Sequence, residues 1–372
     1  MRVLFCTNAF STVSNGPAKF AAILASTKHL SGNREIRILT EDSIESQGNV
    51  YQVKLKYPAF FQPFSQFIRM YQYHRVAMQI RKNYPFDVLV YNNALVGFLS
   101  MLLFRGTTGM INDYTNATWN EDPFGKSGEK NLKRRVFFEV EKWFCRLSRR
   151  KIITNSQYLS SVLTATYGVD SSRFSVLHKG IEEKLIAQNR QELLQNKISN
   201  SVLFVKTNYL LAGFSDLADA LKILDKEIRL TVIGPAESNH NSIREMFHGS
   251  KVQLDLRAHQ NQDKVFELMK SHRVFCLPSY KEAFGVAILE ALSCACRVVA
   301  SRTGGIPEAT GNGPWGFLFS PGNPGELAIS LEQALCSSDE VINEPLEQHL
   351  LGFAESRLVN RFFEILENDE SK

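Results

Sequence analysis

The sequence predicts an α/β chain made of two doubly wound parallel sheets, and three observations carry that expectation. Short apolar runs alternate with helix-spaced stretches, the pattern of a parallel sheet with crossover helices. The alternation pauses in a polar, helix-prone connector at 182–200 and restarts at Val202. At 372 residues the chain is long for one hydrophobic core, so two domains are expected.

Residues 3–6 form a compact apolar strand, followed by a loop at 7–16 rich in Ser, Thr, Asn and Gly. Pro17 suits the first turn of the helix that comes next. Further strands are expected at 35–40, 86–91, 109–112, 152–155 and 174–177. Two helices between them, 60–82 and 130–151, combine aromatic and basic residues. The boundary falls near 185–199, separating a domain at 1–185 from one at 186–349. In the second half, strands at 202–205, 230–233, 252–255 and 273–277 enclose a helix bearing Leu217, Leu221 and Leu224, and another at 264–270. A last helix spans 350–366, within a terminal segment 350–372.

The formal net charge of +5 conceals an asymmetry. Residues 1–180 hold 24 Lys and Arg against 12 Asp and Glu, a net of +12; residues 181–372 hold 19 against 26, a net of −7. A basic first half whose helices interleave aromatics suits an anionic membrane surface or a phosphate-bearing lipid acceptor. Nucleic acid is not expected, because no reader motif is present. The first residues lack the basic and long apolar segments of a signal peptide, and no run reaches the ~18 apolar residues of a membrane span. The six cysteines are scattered and none has zinc spacing, which points to free thiols in a reducing cytoplasm and to no protein-bound metal.

The most informative stretch is 278–292. An apolar strand ends at Leu277, Pro278 to Gly285 read as a turn, and Val286, Ile288, Leu289 and Leu292 give helix-spaced apolar positions. A helix start offers unpaired N–H groups and the positive end of its dipole to an anion. Glu282 in the turn and Glu290 about two turns on can accept hydrogen bonds from paired hydroxyls. Together these residues suggest a nucleotide-sugar site.

The Glu-x7-Glu spacing is followed by Val298-Val299-Ala300-Ser301 and Gly304-Gly305-Ile306-Pro307-Glu308. Gly313-Pro314-Trp315-Gly316-Phe317-Leu318 and Pro321-Gly322-Asn323-Pro324 come next. This ordered set resembles the family 4 retaining glycosyltransferases of GT-B fold. The resemblance implies two Rossmann-like domains facing a central cleft, the first for the acceptor, the second for the donor, with the terminal helix crossing back to the first. It implies metal-independent, retaining hexosyl transfer without a cofactor from a UDP- or GDP-sugar to a lipid-linked or saccharide acceptor. Cell-surface polysaccharide, lipopolysaccharide or glycolipid synthesis would be the setting, in the cytoplasm or on the inner face of the membrane.

Residue by residue, the resemblance implies that Glu282 holds hydroxyls of the transferred sugar and Glu290 the ribose. It implies donor contacts from Gly16, Thr207, Gly213, Gly234, Pro278, Phe284, Gly285, Val286, Gly304 and Gly305. Asn112 and Asp113 would approach the transferred sugar, where the family often has histidine at the position of Asn112. The family's diphosphate-clamping Arg and Lys fall at Thr207 and Ala212 here, so Lys206 is the nearest substitute, with Lys281, Arg257 and Arg302 behind it. Asn15-Gly16 matches the family's glycine pair only in part. The alternatives are a GT-B-fold nucleotide-sugar epimerase and a non-catalytic sugar-nucleotide-binding relative. A Rossmann dehydrogenase is not expected, since no G-x-G-x-x-G follows a strand.

Overall fold

Apolar runs lying between helical stretches bury both faces when they assemble as a covered parallel sheet. The computed structural model describes residues 1–10, 16–26, 30, 32–43, 49–55, 65–111, 116–117, 132–337 and 343–369. The described chain divides into two units. One runs up to Gly180 and takes in the helix Glu355–Asn368; the other is Ile181–Ala354.

The first unit contains β1 (Arg2–Thr7), β2 (Glu35–Thr40), β3 (Val50–Gln52), β4 (Val88–Tyr91), β5 (Thr107–Ile111), β6 (Ile152–Thr154) and β7 (Phe174–Val176). Its helices before the boundary are α1 (Gly16–Ala25), α2 (Ser65–Asn83), α3 (Phe98–Leu103), α4 (Leu132–Leu147) and α5 (Gln157–Tyr167). The strands form one parallel sheet in the order β3-β2-β1-β4-β5-β6-β7. β1 lies inside it, with Val3 opposite both Ile36 and Val88 and Val3, Leu4 and Phe5 fully buried.

The second unit holds α6 (Glu183–Ile186), α7 (Arg190–Gln195), β8 (Ile198–Val205), α8 (Phe214–Leu224), β9 (Ile228–Ile233), α9 (His240–Met246) and β10 (Val252–Arg257). It continues with α10 (Gln262–Ser271), β11 (His272–Leu277), α11 (Val286–Ser293), β12 (Arg297–Ser301), α12 (Ile306–Ala309), β13 (Phe317–Phe319), α13 (Pro324–Cys336) and α14 (Asn343–Leu351). Its parallel sheet has the order β10-β9-β8-β11-β12-β13. The last helix, α15 (Glu355–Asn368), belongs to the first unit.

Several expectations shift. The unit boundary lies at Gly180, ahead of 185, because Ile181 and Leu185 are buried in the second unit's core. The single terminal helix expected at 350–366 is two helices, α14 and α15, interrupted at Gly352–Ala354. There the Ile181 N–H donates to the Phe353 carbonyl at 2.9 Å, and Ile181 forms a parallel bridge with Ala354. α4 ends at Leu147, where the Ser148 hydroxyl donates to Arg150 O instead of continuing the helix. Three strands, β3, β12 and β13, lie where none was expected. Asn112, Asp113, half of the loop at 7–16 (residues 11–15) and the start of the helix expected at 60–82 lie outside the described residues.

α15 is amphipathic, and its Leu358, Val359, Phe362, Phe363, Ile365 and Leu366 are buried in the first unit's core. Phe362 sits edge-on to Phe5 and Phe20, at ring separations of 6.2 and 6.4 Å. The Arg34 guanidinium grips Glu367 through two hydrogen bonds, at 2.9 and 2.7 Å. This paired geometry holds the outer end of the helix. Phe362→Ala should therefore lower the unfolding free energy of the first unit by about 3–5 kcal/mol in urea titration. A loss below about 1 kcal/mol would mean that α15 is not part of this core.

Candidate functional site

In the second sheet the strand succession reverses between β8 and β11, and ligands of open parallel sheets bind beyond the carboxyl ends of strands at such a point. β8 ends at Val205 and is followed by Lys206, whose N–H donates to Ile233 O at 2.9 Å. β11 ends at Leu277 and leads through the turn 278–285 into α11. The two segments meet in an ion pair: Lys206 Nζ donates to Glu282 Oε2 at 2.7 Å. The Glu282 side chain is 14% exposed and that of Lys206 33%, so the pair is reachable from solvent while partly withdrawn from it.

Glycine explains how the backbones approach so closely. Gly213, at φ +69°, precedes α8, and a Cβ there would stand 2.0 Å from Pro278 O. At Gly234 a Cβ would fall 2.7 Å from the Lys206 carbonyl carbon. Gly304 is the tightest: at φ +55° its Cβ would lie 1.7 Å from Glu282 O. The neighbouring Gly305 N–H donates to that same oxygen at 3.2 Å. The resemblance implied donor contacts for Gly304 and Gly305; the structure packs them against the backbone of the Glu282 turn.

Other expected residues distribute as follows. Gly285, at φ +93°, caps α11, and Val286 opens that helix half-buried. Glu290, two turns along, accepts a hydrogen bond from Gln262 Nε2 at 3.1 Å. Pro278 is buried and Thr207 exposed beside Lys206. The Phe284 ring is 1% exposed and packs on Phe353 at 5.6 Å, which makes that side chain core; only its backbone remains available to a ligand. Arg257 is engaged by Asp255 at 3.1 and 2.8 Å, Lys281 is 9% exposed, and Arg302 is exposed on the neighbouring turn. Gly16 begins α1 in the other unit.

Two features escape a reading of the sequence. Asp216, 7% exposed in the first turn of α8, accepts the Tyr280 hydroxyl at 2.7 Å. Burial and this carboxylate push the Tyr280 hydroxyl up to about 12. An acidic residue in a helix's first turn is common, so the sequence carries no distinguishing signal for it. Gln262 opens α10, and nothing in the pattern links it to Glu290.

Residues 186–345 match the family model of Glycosyl transferases group 1, and residues 28–185 match that of Glycosyltransferase Family 4. The chain belongs to glycosyltransferase family 4. Among its relatives, the D-inositol 3-phosphate glycosyltransferase of Mycolicibacterium vanbaalenii is 25% identical, with 56% of this chain and 51% of the relative covered. The chain spans about half the length of the curated relatives it matches. A glycosyltransferase of Rickettsia africae superposes with a TM-score of 0.72 at 16% identity, covering 99% of this chain and 98% of the other. Anabaena HepE, crystallised with UDP-glucose, gives 0.71 at 16% identity, covering 99% and 100%. These structural likenesses fix the fold as GT-B.

The glycine geometry yields a paired test. At Gly32, φ +66°, a Cβ would meet nothing within 4 Å, whereas at Gly304 it would meet the Glu282 carbonyl at 1.7 Å. Gly32→Ala should cost only its backbone strain, about 1–2 kcal/mol. Gly304→Ala should cost roughly 3 kcal/mol or more, because the Glu282 turn must move. Equal melting temperatures for the two variants would refute the tight packing of that turn.

Proposed function

We propose that this chain transfers a sugar from a UDP- or GDP-sugar to a hydroxyl of a lipid-linked or saccharide acceptor. Anomeric configuration would be retained, and no metal or other cofactor would take part. The observation that carries the reading is the Lys206–Glu282 pair at the strand reversal, beside the start of α11. An ammonium has three N–H donors, so Lys206 can hold the Glu282 carboxylate and phosphate oxygens together. Glu282, oriented by that contact, accepts hydroxyls of the transferred sugar. Glu290 and Gln262 supply an acceptor and a donor for the ribose. Asn112 and Asp113 would approach the transferred sugar, as the family resemblance implies.

The chemistry needs no covalent enzyme intermediate. The departing phosphate takes the acceptor proton on the same face as attack, and the rate comes from placement and from charge stabilisation of the leaving group. Lysine acts as a point charge without arginine's fork, so Lys206 is suited to a phosphate that moves as its bond breaks. Losing one such contact costs on the order of 2–4 kcal/mol in the transition state.

A screen of UDP- and GDP-sugars for thermal stabilisation tests the binding half, since a ligand of the folded state raises stability by mass action. At least one should raise the melting temperature and support transfer. If none binds, the reading falls. With the donor so found, Lys206→Ala should lose roughly a hundredfold or more in turnover and Lys206→Arg should keep part of it. Unchanged turnover in Lys206→Ala would remove this lysine from the reaction.

The setting we propose is cell-surface polysaccharide, lipopolysaccharide or glycolipid synthesis, with the chain docked on the inner face of a membrane. Phe67 and Tyr71 on α2, Leu102 and Leu103 on α3, and Trp143 and Leu147 on α4 are exposed within the basic first unit. Among the described residues no helix is long and apolar enough to cross a membrane. Sedimentation with vesicles containing anionic lipid should be strong and should weaken as salt rises. Equal sedimentation with neutral vesicles would reject an electrostatic contribution.

A further inference from the structure

The turn that carries Glu282 is also tied to α8, through a side chain two residues earlier. The Tyr280 hydroxyl donates to Asp216 Oδ1 at 2.7 Å, and Ser215 hydrogen-bonds the same hydroxyl. Asp216 lies in the first turn of α8, where the positive end of the helix dipole favours a carboxylate. It is 7% exposed, and its Oδ2 is buried without a partner among the described residues. The backbone of Tyr280 is held as well: its N–H donates to Leu211 O at 3.1 Å, and its carbonyl accepts Thr303 Oγ1 at 3.2 Å. Gly213, pressed on Pro278 O, opens the same helix α8.

We propose that Tyr280 and Asp216 form a latch that positions Glu282 for the transferred sugar, acting through the turn and not on the ligand. The contacts close a ring. The chain runs from Lys206 to Asp216, Asp216 accepts the Tyr280 hydroxyl, and the turn leads from Tyr280 to Glu282, whose carboxylate returns to Lys206. From Tyr280 to Glu282 the chain can span at most about 7 Å, so fixing the first restricts the second. Small displacements of reacting groups cost large factors in rate. Stability alone is a poor account of Asp216, because burying a carboxylate is costly and one of its oxygens gains no partner among the described residues. Burial and the carboxylate push the Tyr280 hydroxyl up to about 12, so it keeps its proton and donates throughout the neutral range. The inference rests on the glycosyl-transfer reading above.

Tyr280→Phe keeps the ring and removes only the hydroxyl, so folding is protected. Asp216→Ala removes the acceptor, and Asp216→Asn restores one. Turnover would be measured with the donor–acceptor pair found by screening, together with Kd for UDP or GDP, whichever stabilises the parent chain. Hydrogen exchange would be followed in peptides spanning 278–285. We expect Tyr280→Phe and Asp216→Ala to exchange faster there and to lose about tenfold in kcat, with nucleotide Kd within about twofold of the parent. Asp216→Asn should stay within about threefold of the parent in kcat, because the hydrogen bond is kept. Joining Tyr280→Phe to Asp216→Ala should cost no more than about threefold beyond the worse single variant, since both break one contact. Unchanged kcat in Tyr280→Phe, or Asp216→Asn as slow as Asp216→Ala, would overturn the latch. A nucleotide Kd weakened in step with kcat would reduce the pair to a structural stitch and overturn the positioning role. If the parent chain transfers no sugar to any acceptor, the glycosyl-transfer reading fails, and positioning of Glu282 for transfer fails with it; the exchange data would still report whether the pair holds the turn.

Discussion

A 2.7 Å contact between Lys206 Nζ and Glu282 Oε2 joins chain segments 76 residues apart, and the architecture of the second unit converges on making it possible. β8 and β11 must be parallel neighbours for their carboxyl ends to meet, and their register sets Val202 against Val274 and Leu203 against Phe275. The turn after β11 must then be held against the end of β8. Ser301 Oγ donates to Ser279 O at 2.5 Å, Thr303 Oγ1 to Tyr280 O at 3.2 Å, and Tyr280 N to Leu211 O at 3.1 Å. With Gly304 pressed on the Glu282 carbonyl, the turn is fixed from three sides before any ligand arrives. A partly exposed ion pair adds little to stability, so its value is in orientation. In the proposed reaction that orientation sets a cation and a carboxylate beside a helix start that attracts phosphate.

The two units differ in charge and in what they expose. The first carries the positive excess and exposes aromatic and aliphatic side chains on α2, α3 and α4. The second is acidic in sum, and concentrates the phosphate-directed features of the proposed site at the carboxyl ends of its central strands. α15 lends its apolar face to the first unit although it follows the whole of the second in sequence, and Arg34 secures it through Glu367.

Much of this is legible in the residues, for physical reasons. β2 matches its expected bounds because Ile36, Ile38 and Leu39, broken only by Arg37, supply buried β-forming positions between polar ends. The strand, turn and helix around Glu282 are readable because period and glycine placement change together. The Lys206–Glu282 pairing is not, since sheet order brings together groups far apart in sequence. Arg257 looks like an available cation in the sequence, yet Asp255 lies two residues earlier on the same strand face and engages it. That spacing was a signal the residues did carry. The break between α14 and α15 is hidden because apolar spacing continues across it; the bridge from Ile181 to Ala354 that imposes it is a long-range contact. Phe284 looks like a site residue by position, while its ring is needed by the core.

The central claim is that Lys206 and Glu282 act as one unit on the donor. A double-mutant cycle on turnover tests it most directly, using the parent chain, Lys206→Ala, Glu282→Ala and the double variant with the donor identified by thermal screening. Residues that act together are strongly non-additive. The account predicts that the double variant loses no more than about tenfold beyond the worse single variant. Losses that multiply, as for two independent residues, would contradict it.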